Sequence, residues 1–173
     1  MIKDWTIVQD TREKKPLLFP GNIRVLDDKT LPTSKKTRLV RIHTVKETLT
    51  TGDYLLKGFE ECTIIERKGS LREISQNCLT KKDRPRFVEC LKRMRDACKD
   101  PVLMLEGTPL EMTKVNRYVP EPAAAVDALM RLLNEYGIRL FLLPTQTASH
   151  RRASGEWALR LLINGALHHG STE

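Results

Sequence analysis

Gly52-Asp53-Tyr54-Leu55-Leu56-Lys57-Gly58-Phe59-Glu60-Glu61-Cys62-Thr63-Ile64-Ile65-Glu66-Arg67-Lys68 is the stretch whose reading settles the rest of the chain. Residues 60–65 read as an apolar strand that runs into the charged triplet 66–68. On extended backbone alternate residues share a face, so Glu66 and Lys68 project together while Arg67 points to the other side with Ile65. Asp53 follows a glycine at the start of the preceding strand. A hairpin from Tyr54 to Ile65, turning near Lys57-Gly58, returns the chain beside it. Two acids and a lysine then converge at one end of a sheet. Such oxygen ligands suit a hard divalent cation, which lowers the pKa of a bound water, while the lysine orients that water or stabilises charge on a phosphate.

Upstream, residues 5–9 alternate apolar and polar side chains and read as an early strand. Asp10-Thr11-Arg12-Glu13 leaves that strand with two acids and an arginine, where sheet proteins place their chemistry, although the same four residues also suit a polar turn. Residues 14–36 hold Pro16, Pro20, Gly21 and Pro32 and predict a long surface loop with a brief strand over 23–26. Such a loop can order on a ligand. Residues 38–45 alternate again and form a second strand. His43 has no second histidine near it and reads as a structural or surface residue.

Downstream, Gly69 or Ser70 caps a helix through Leu79 with Leu71, Ile74, Cys78 and Leu79 as its apolar stripe. Lys81-Lys82-Asp83-Arg84 interrupts it, and Pro85 opens a second helix running to about Cys98. Its polar face carries Arg86, Lys92, Arg93 and Arg95, which suits either plain solvation or a nucleic acid. Residues 101–106 are a buried strand, 107–120 a loop, and 122–136 a strong helix ended by Gly137. Residues 138–143 give another buried strand, and 145–167 a last helix. Hairpins in the first half and strand–helix alternation in the second predict an α/β fold, a mixed central sheet flanked by helices.

The 173 residues, 40% hydrophobic, suffice for one sizeable core and a single domain over 1–173. A formal charge of +8 favours a polyanionic partner. No signal peptide begins the chain and no run reaches the roughly 18 apolar residues of a membrane span. A soluble, intracellular protein (nucleus or cytoplasm) is therefore expected, with no membrane partner. Cys62, Cys78, Cys90 and Cys98 lack Cys-x-x-Cys spacing, which argues against zinc and disulfides and for reduced, mostly buried thiols.

Taken together, Asp10-x-Arg12-Glu13, Gly52-Asp53-Tyr54 and Glu66-Arg67-Lys68 resemble the nuclease domain of the XPF family of structure-specific DNA endonucleases. Arg86-Phe87-x-Glu89-x-Leu91-x-Arg93-Met94 is similar to the family's basic helix, and 101–106 to the strand that follows it. The resemblance runs from about Trp5 into the last helix. It implies a restriction-endonuclease-like core that hydrolyses phosphodiester bonds in branched or flap-type DNA with Mg²⁺ or Mn²⁺, in DNA repair and recombination. Carried over, Asp53, Glu66 and the Arg67 carbonyl hold the metal, and Lys68 positions the attacking water. Asp10 and Glu13 complete the acidic cluster, Arg12 and Arg67 hold it or contact phosphate, and Arg84, Arg86 and Arg93 meet DNA. The alternative is a non-catalytic DNA-binding subunit that pairs with an active nuclease.

Two positions depart from the family. Arg72 stands where an aspartate usually follows the triplet, with Glu73 rotated about 100° from it on a helix. Cys90 replaces a frequent glutamine. The family's tandem helix-hairpin-helix module finds no room in 173 residues, so junction recognition is expected from a homodimer, from loop 14–36 or from a related protein subunit. The apolar last helix serves either as a dimer surface or as packing for its own sheet.

Overall fold

Hydrophobic alternation over the charged triplet's strand fixes which elements lie on which side of the sheet. The computed structural model describes residues 4–26, 36–144 and 146–170. Seven strands, β1 (Asp4–Asp10), β2 (Asn22–Leu26), β3 (Thr37–Glu47), β4 (Tyr54–Leu56), β5 (Thr63–Lys68), β6 (Asp100–Glu106) and β7 (Arg139–Leu143), form one sheet in the order β2-β3-β1-β4-β5-β6-β7. β1 runs parallel to β3 and antiparallel to β4, and β5, β6 and β7 are mutually parallel neighbours. The expected mixed sheet is therefore present. Among the described residues five helices accompany it: α1 (Leu71–Leu79), α2 (Arg84–Ala97), the short α3 (Pro109–Met112), α4 (Pro122–Tyr136) and α5 (Ala148–His169).

Two apolar cores sandwich the sheet. On one face Val8, Leu55, Ile64, Leu103 and Leu105 meet Ile74 of α1, Leu91 and Met94 of α2, and Leu129 and Leu132 of α4. On the other face Ile7, Tyr54, Leu56, Ile65, Val102 and Met104 meet Ala158, Leu159, Leu162 and Ile163 of α5. Successive residues divide between the two faces, as the period of a strand requires. The last helix thus packs on its own sheet. It does so closely, because a Cβ at Gly165 would fall 1.9 Å from Thr63 Oγ1.

Local signals explain most boundaries. Ser70 caps α1, its Oγ accepting the Glu73 N–H at 3.2 Å. Gly137 ends α4 in the left-handed region at φ 65°. Two expectations need correction. Residues 60–62 belong to the turn: Cys62 N–H donates to the Phe59 carbonyl at 3.0 Å and Glu60 Oε1 accepts the Gly58 N–H at 2.8 Å. The strand therefore starts at Thr63 and contains Glu66, Arg67 and Lys68 instead of preceding them. The last helix starts at Ala148, because the Thr147 side chain caps it by accepting the His150 N–H. Residue 145 lies outside the described residues, as do 1–3, 27–35 in the expected loop 14–36, and 171–173. The expected loop over 107–120 contains α3, started by a Thr108–Glu111 capping box.

Candidate active site

Asp53 is positioned by backbone before its side chain matters. Its N–H donates to the Ile65 carbonyl at 2.7 Å and its carbonyl accepts the Asp10 N–H at 2.9 Å, so β4 begins between β1 and β5. Gly52 makes this possible: its φ is 75°, and a Cβ there would lie 2.3 Å from Ile64 Cγ2. Tyr54, fully buried, accepts the Leu17 N–H on its hydroxyl at 3.0 Å and so ties the segment after β1 to the sheet.

The strand alternation of the triplet holds. Lys68 Nζ donates to Glu66 Oε1 at 2.8 Å and lies 3.4 Å from Glu73 Oε1, 5.7 Å from the centre of the Phe87 ring on α2. Arg67 points to the α5 side, where it pairs with Glu13 at 3.1 Å and with Glu106, and donates to the Lys15 carbonyl at 2.7 Å. Its main-chain N–H donates to Asp53 Oδ2 at 2.7 Å. These groups line a cleft of about 570 Å³ together with Arg12, Lys14, Lys15, Gly69 and Glu73. A second lobe of about 380 Å³ shares Arg12, Asp53, Glu66, Lys68 and Glu73 and extends to Arg86, Phe87, Cys90 and Arg93 on α2.

Burial, reinforced by the charge of Glu66, pushes the Asp53 carboxyl up to about 7. Burial alone would lower the Lys68 ammonium, but Glu66, by charge and hydrogen bond, and Glu73 hold it above its ordinary value. Lys68 therefore stays a cation at neutral pH and donates. Cys90 is pushed up to about 12 by burial and by Glu66, so it is a neutral thiol in the cleft wall.

Asp10, Arg12 and Glu13 all reach this end of the sheet, in different roles. Asp10 is fully buried and does not line the cleft. Its carboxylate accepts from Arg12 Nε at 2.9 Å, Arg12 Nη2 at 2.6 Å, the Arg12 N–H at 2.7 Å and the Leu49 N–H at 3.1 Å. The hydrogen bond from the Arg12 side chain is the main reason its carboxyl is lowered to about 2. Arg12 is thereby held at the cleft mouth, and Glu13 faces Arg67. Of the basic-helix candidates, Arg86 and Arg93 line the second lobe, whereas Arg84 turns back to donate to the Cys78 carbonyl at 2.8 Å.

Of two further carboxylates in the cleft, the sequence reading left Glu73 open as a substitute for the aspartate replaced by Arg72, and it missed Glu106. Glu73 reaches Lys68, and its Oε2 accepts the Gly69 N–H at 2.9 Å, while Arg72 turns outward. The Ser70-x-x-Glu73 capping pattern was the available signal. Glu106 ends β6 on the Arg67 face, where strand alternation from Val102 and Met104 could have located it.

Among the described residues no three His, Cys, Asp or Glu side chains form a ready-made cation cluster. Asp53 and Glu66 nevertheless fit a hard cation through their chemistry. Both line the cleft, and burial together with the charge of Glu66 disfavours the ionised Asp53 carboxyl, a cost that a cation would relieve. No helix among the described residues is long and apolar enough to cross a membrane.

Residues 10–157 match the ERCC4 domain. The fold is similar to XPF from Aeropyrum pernix, with a TM-score of 0.59, 18% identity, and coverage of 97% of this chain and 62% of that one. A second structure, XPF from Aeropyrum pernix in complex with DNA, gives a TM-score of 0.60 and 18% identity, covering 97% of this chain and 68% of that chain. The chain spans about two thirds of the length of these structures. No curated protein matches the sequence. The likeness identifies the sheet as the restriction-endonuclease-like XPF nuclease fold.

Proposed function

The chain belongs to the ERCC4-domain family; from that premise we propose that it is a structure-specific DNA nuclease domain, an active Mg²⁺- or Mn²⁺-dependent endonuclease cutting branched or flap-type DNA. The observation that carries this reading is the raised carboxyl of Asp53 beside Glu66, with Lys68 fixed on the same sheet face at the floor of an open cleft. A buried acid raised further by a second acid in an open cleft is the arrangement a cation site uses.

Asp53, Glu66 and the Arg67 carbonyl are assigned to hold the metal. When bound, the metal supplies a water of lowered pKa and neutralises charge developing on the phosphate. Lys68 keeps its proton and so acts as a donor that orients the attacking water or a phosphoryl oxygen. Glu73 positions Lys68 from α1. Arg67, locked between Glu13 and Glu106, holds the strand end so that Glu66 and Lys68 face α2. Arg12, steadied by Asp10, and Arg86 and Arg93 meet DNA phosphates. XPF from Aeropyrum pernix has been seen with DNA, which supports DNA as the partner here.

A non-catalytic DNA-binding subunit is the rival reading, motivated by Arg72 in the place of the family aspartate. Glu73 weakens it, since its carboxylate reaches Lys68 from the next position. End-labelled splayed-arm, flap and blunt duplex DNA with Mg²⁺ or Mn²⁺ decide between them. Cutting near the branch by wild type but not by Glu66→Gln supports the nuclease. Binding without cutting under either metal supports the rival.

A further inference from the structure

Arg72 leaves the cleft floor and stacks instead on Tyr118, its guanidinium carbon 4.2 Å from the ring centre. Arg117 lies on the same ring at 4.5 Å and donates to the Tyr118 hydroxyl. Tyr118 is 49% exposed, yet its backbone is firmly held. Asn116 Oδ1 accepts the N–H groups of both Tyr118, at 2.9 Å, and Val119, at 3.0 Å, and Val119 is buried in the core. The nearby carboxylates are engaged elsewhere, Glu106 by Arg67 and Glu111 by the Thr108 N–H at 2.7 Å. Two exposed guanidinium groups, stacked on a half-exposed ring, therefore face solvent. Arg72 and Tyr118 line a groove of about 340 Å³ that shares Gly69 and Glu106 with the acidic cleft.

We infer that Arg72, Tyr118 and Arg117 form a stacking platform for an unpaired nucleotide of the DNA substrate, on the side of the cleft next to α1 and α3. This rests on the DNA-cutting reading and adds to it the strand form that the site selects. An unstacked base offers a flat apolar face that packs on tyrosine or on a guanidinium plane, and the two arginines meet the phosphates on either side of it. Bases inside a duplex are already stacked on one another and offer no such face. Arg86 and Arg93 flank the same cleft from α2 and contact backbone regardless of pairing. A substrate lying across both has an unpaired segment at Tyr118. The replacement of the family aspartate by arginine thereby acquires a role: position 72 serves substrate form, and position 73 serves Lys68.

The test is equilibrium binding, with a chelator present to prevent cutting, of splayed-arm DNA carrying 2-aminopurine at its first unpaired position and of blunt duplex of the same sequence. Wild type should prefer the splayed arm and quench 2-aminopurine. Tyr118→Ala should lower the ratio of splayed-arm to duplex affinity about tenfold and lose the quenching, Arg72→Ala should lower the ratio in part, and Tyr118→Phe should keep both properties. An unchanged ratio in Tyr118→Ala overturns the platform while leaving the DNA-cutting reading intact. Failure of wild type to bind either DNA overturns that reading first, and the platform with it.

Discussion

The main-chain N–H of Arg67 donates to Asp53 Oδ2 at 2.7 Å, so the carboxylate just before β4 is gripped by the strand that also carries Glu66. This bond favours the ionised form, yet burial and Glu66 outweigh it and hold the carboxyl at about 7.

The pH dependence follows in sign. The folded carboxyl keeps its proton above the unfolded value of about 3.9, so the metal-free protein loses stability as pH rises from about 4 to about 7. A divalent cation competes with that proton. Calorimetric Mg²⁺ or Mn²⁺ affinity should climb up to tenfold per unit below about pH 7 and flatten above it. Asp53→Asn should abolish cation binding and raise the metal-free melting temperature at about pH 8 by a few degrees. An affinity that is level below neutrality would remove Asp53 from the metal site.

Lys68 predicts the alkaline side. Its ammonium is held above its ordinary value by Glu66 and Glu73, so cutting should not decline up to about pH 10, the usual lysine range. Lys68→Ala should cut about 100-fold more slowly, the scale expected for loss of one oriented donor. A general-base lysine would instead give a rate that rises as it deprotonates, which single-turnover rates across the range would reveal.

Asp10 should matter first to folding. Removing its carboxylate leaves the Leu49 N–H and Arg12 Nε without their acceptor, while Arg12 Nη2 keeps the Leu49 carbonyl, and Asp10→Ala should lose about 2–3 kcal/mol in urea unfolding. Its folded carboxyl, lowered to about 2, lies below the unfolded value. The stabilisation is therefore complete above about pH 4 and fades as pH falls to about 2. Asp10→Asn should show a shallower acid transition than wild type; an identical transition would contradict the assignment.

Gly52→Ala should be severe for a single methyl group. The added Cβ meets Ile64 at 2.3 Å on backbone with φ 75°, so a loss of about 2–4 kcal/mol is expected. Because Asp53 is the next residue, cation affinity should drop as well, even in protein that remains folded.

Arg86→Ala and Arg93→Ala should each weaken binding to all DNA forms similarly and reduce the slope of log affinity against log salt by about 1. Arg84→Ala should leave that slope unchanged and lower stability, because its guanidinium joins α2 to the end of α1.

The motifs were legible because each obeys a short-range rule. Gly52 marks a left-handed residue, the triplet alternates across a strand, and Ser70 and Gly137 cap helices. What was not legible depended on tertiary pairing. Arg84 resembles Arg86 in sequence, and only the end of α1 beside it decides that one turns inward. Glu60 and Glu61 extend an apolar run on paper, but the turn closed by the Phe59 carbonyl excludes them from the strand. Asp10 looks like any cleft acid until the Leu49 N–H, 39 residues away, is seen to occupy it.

Asp53 is held between the Asp10 N–H and the Ile65 carbonyl, and the cleft around it also draws on the ends of β5, β6 and α1. These partners are distant along the chain, so their closure is a late, slow event compared with helix formation. A nascent chain that ends before β6 has neither Glu106 nor the parallel neighbour of β5. In refolding, any cutting that depends on this cleft should return only after the burial of Trp5. Incomplete chains carry the sequence motifs of a nuclease without the capacity to damage DNA.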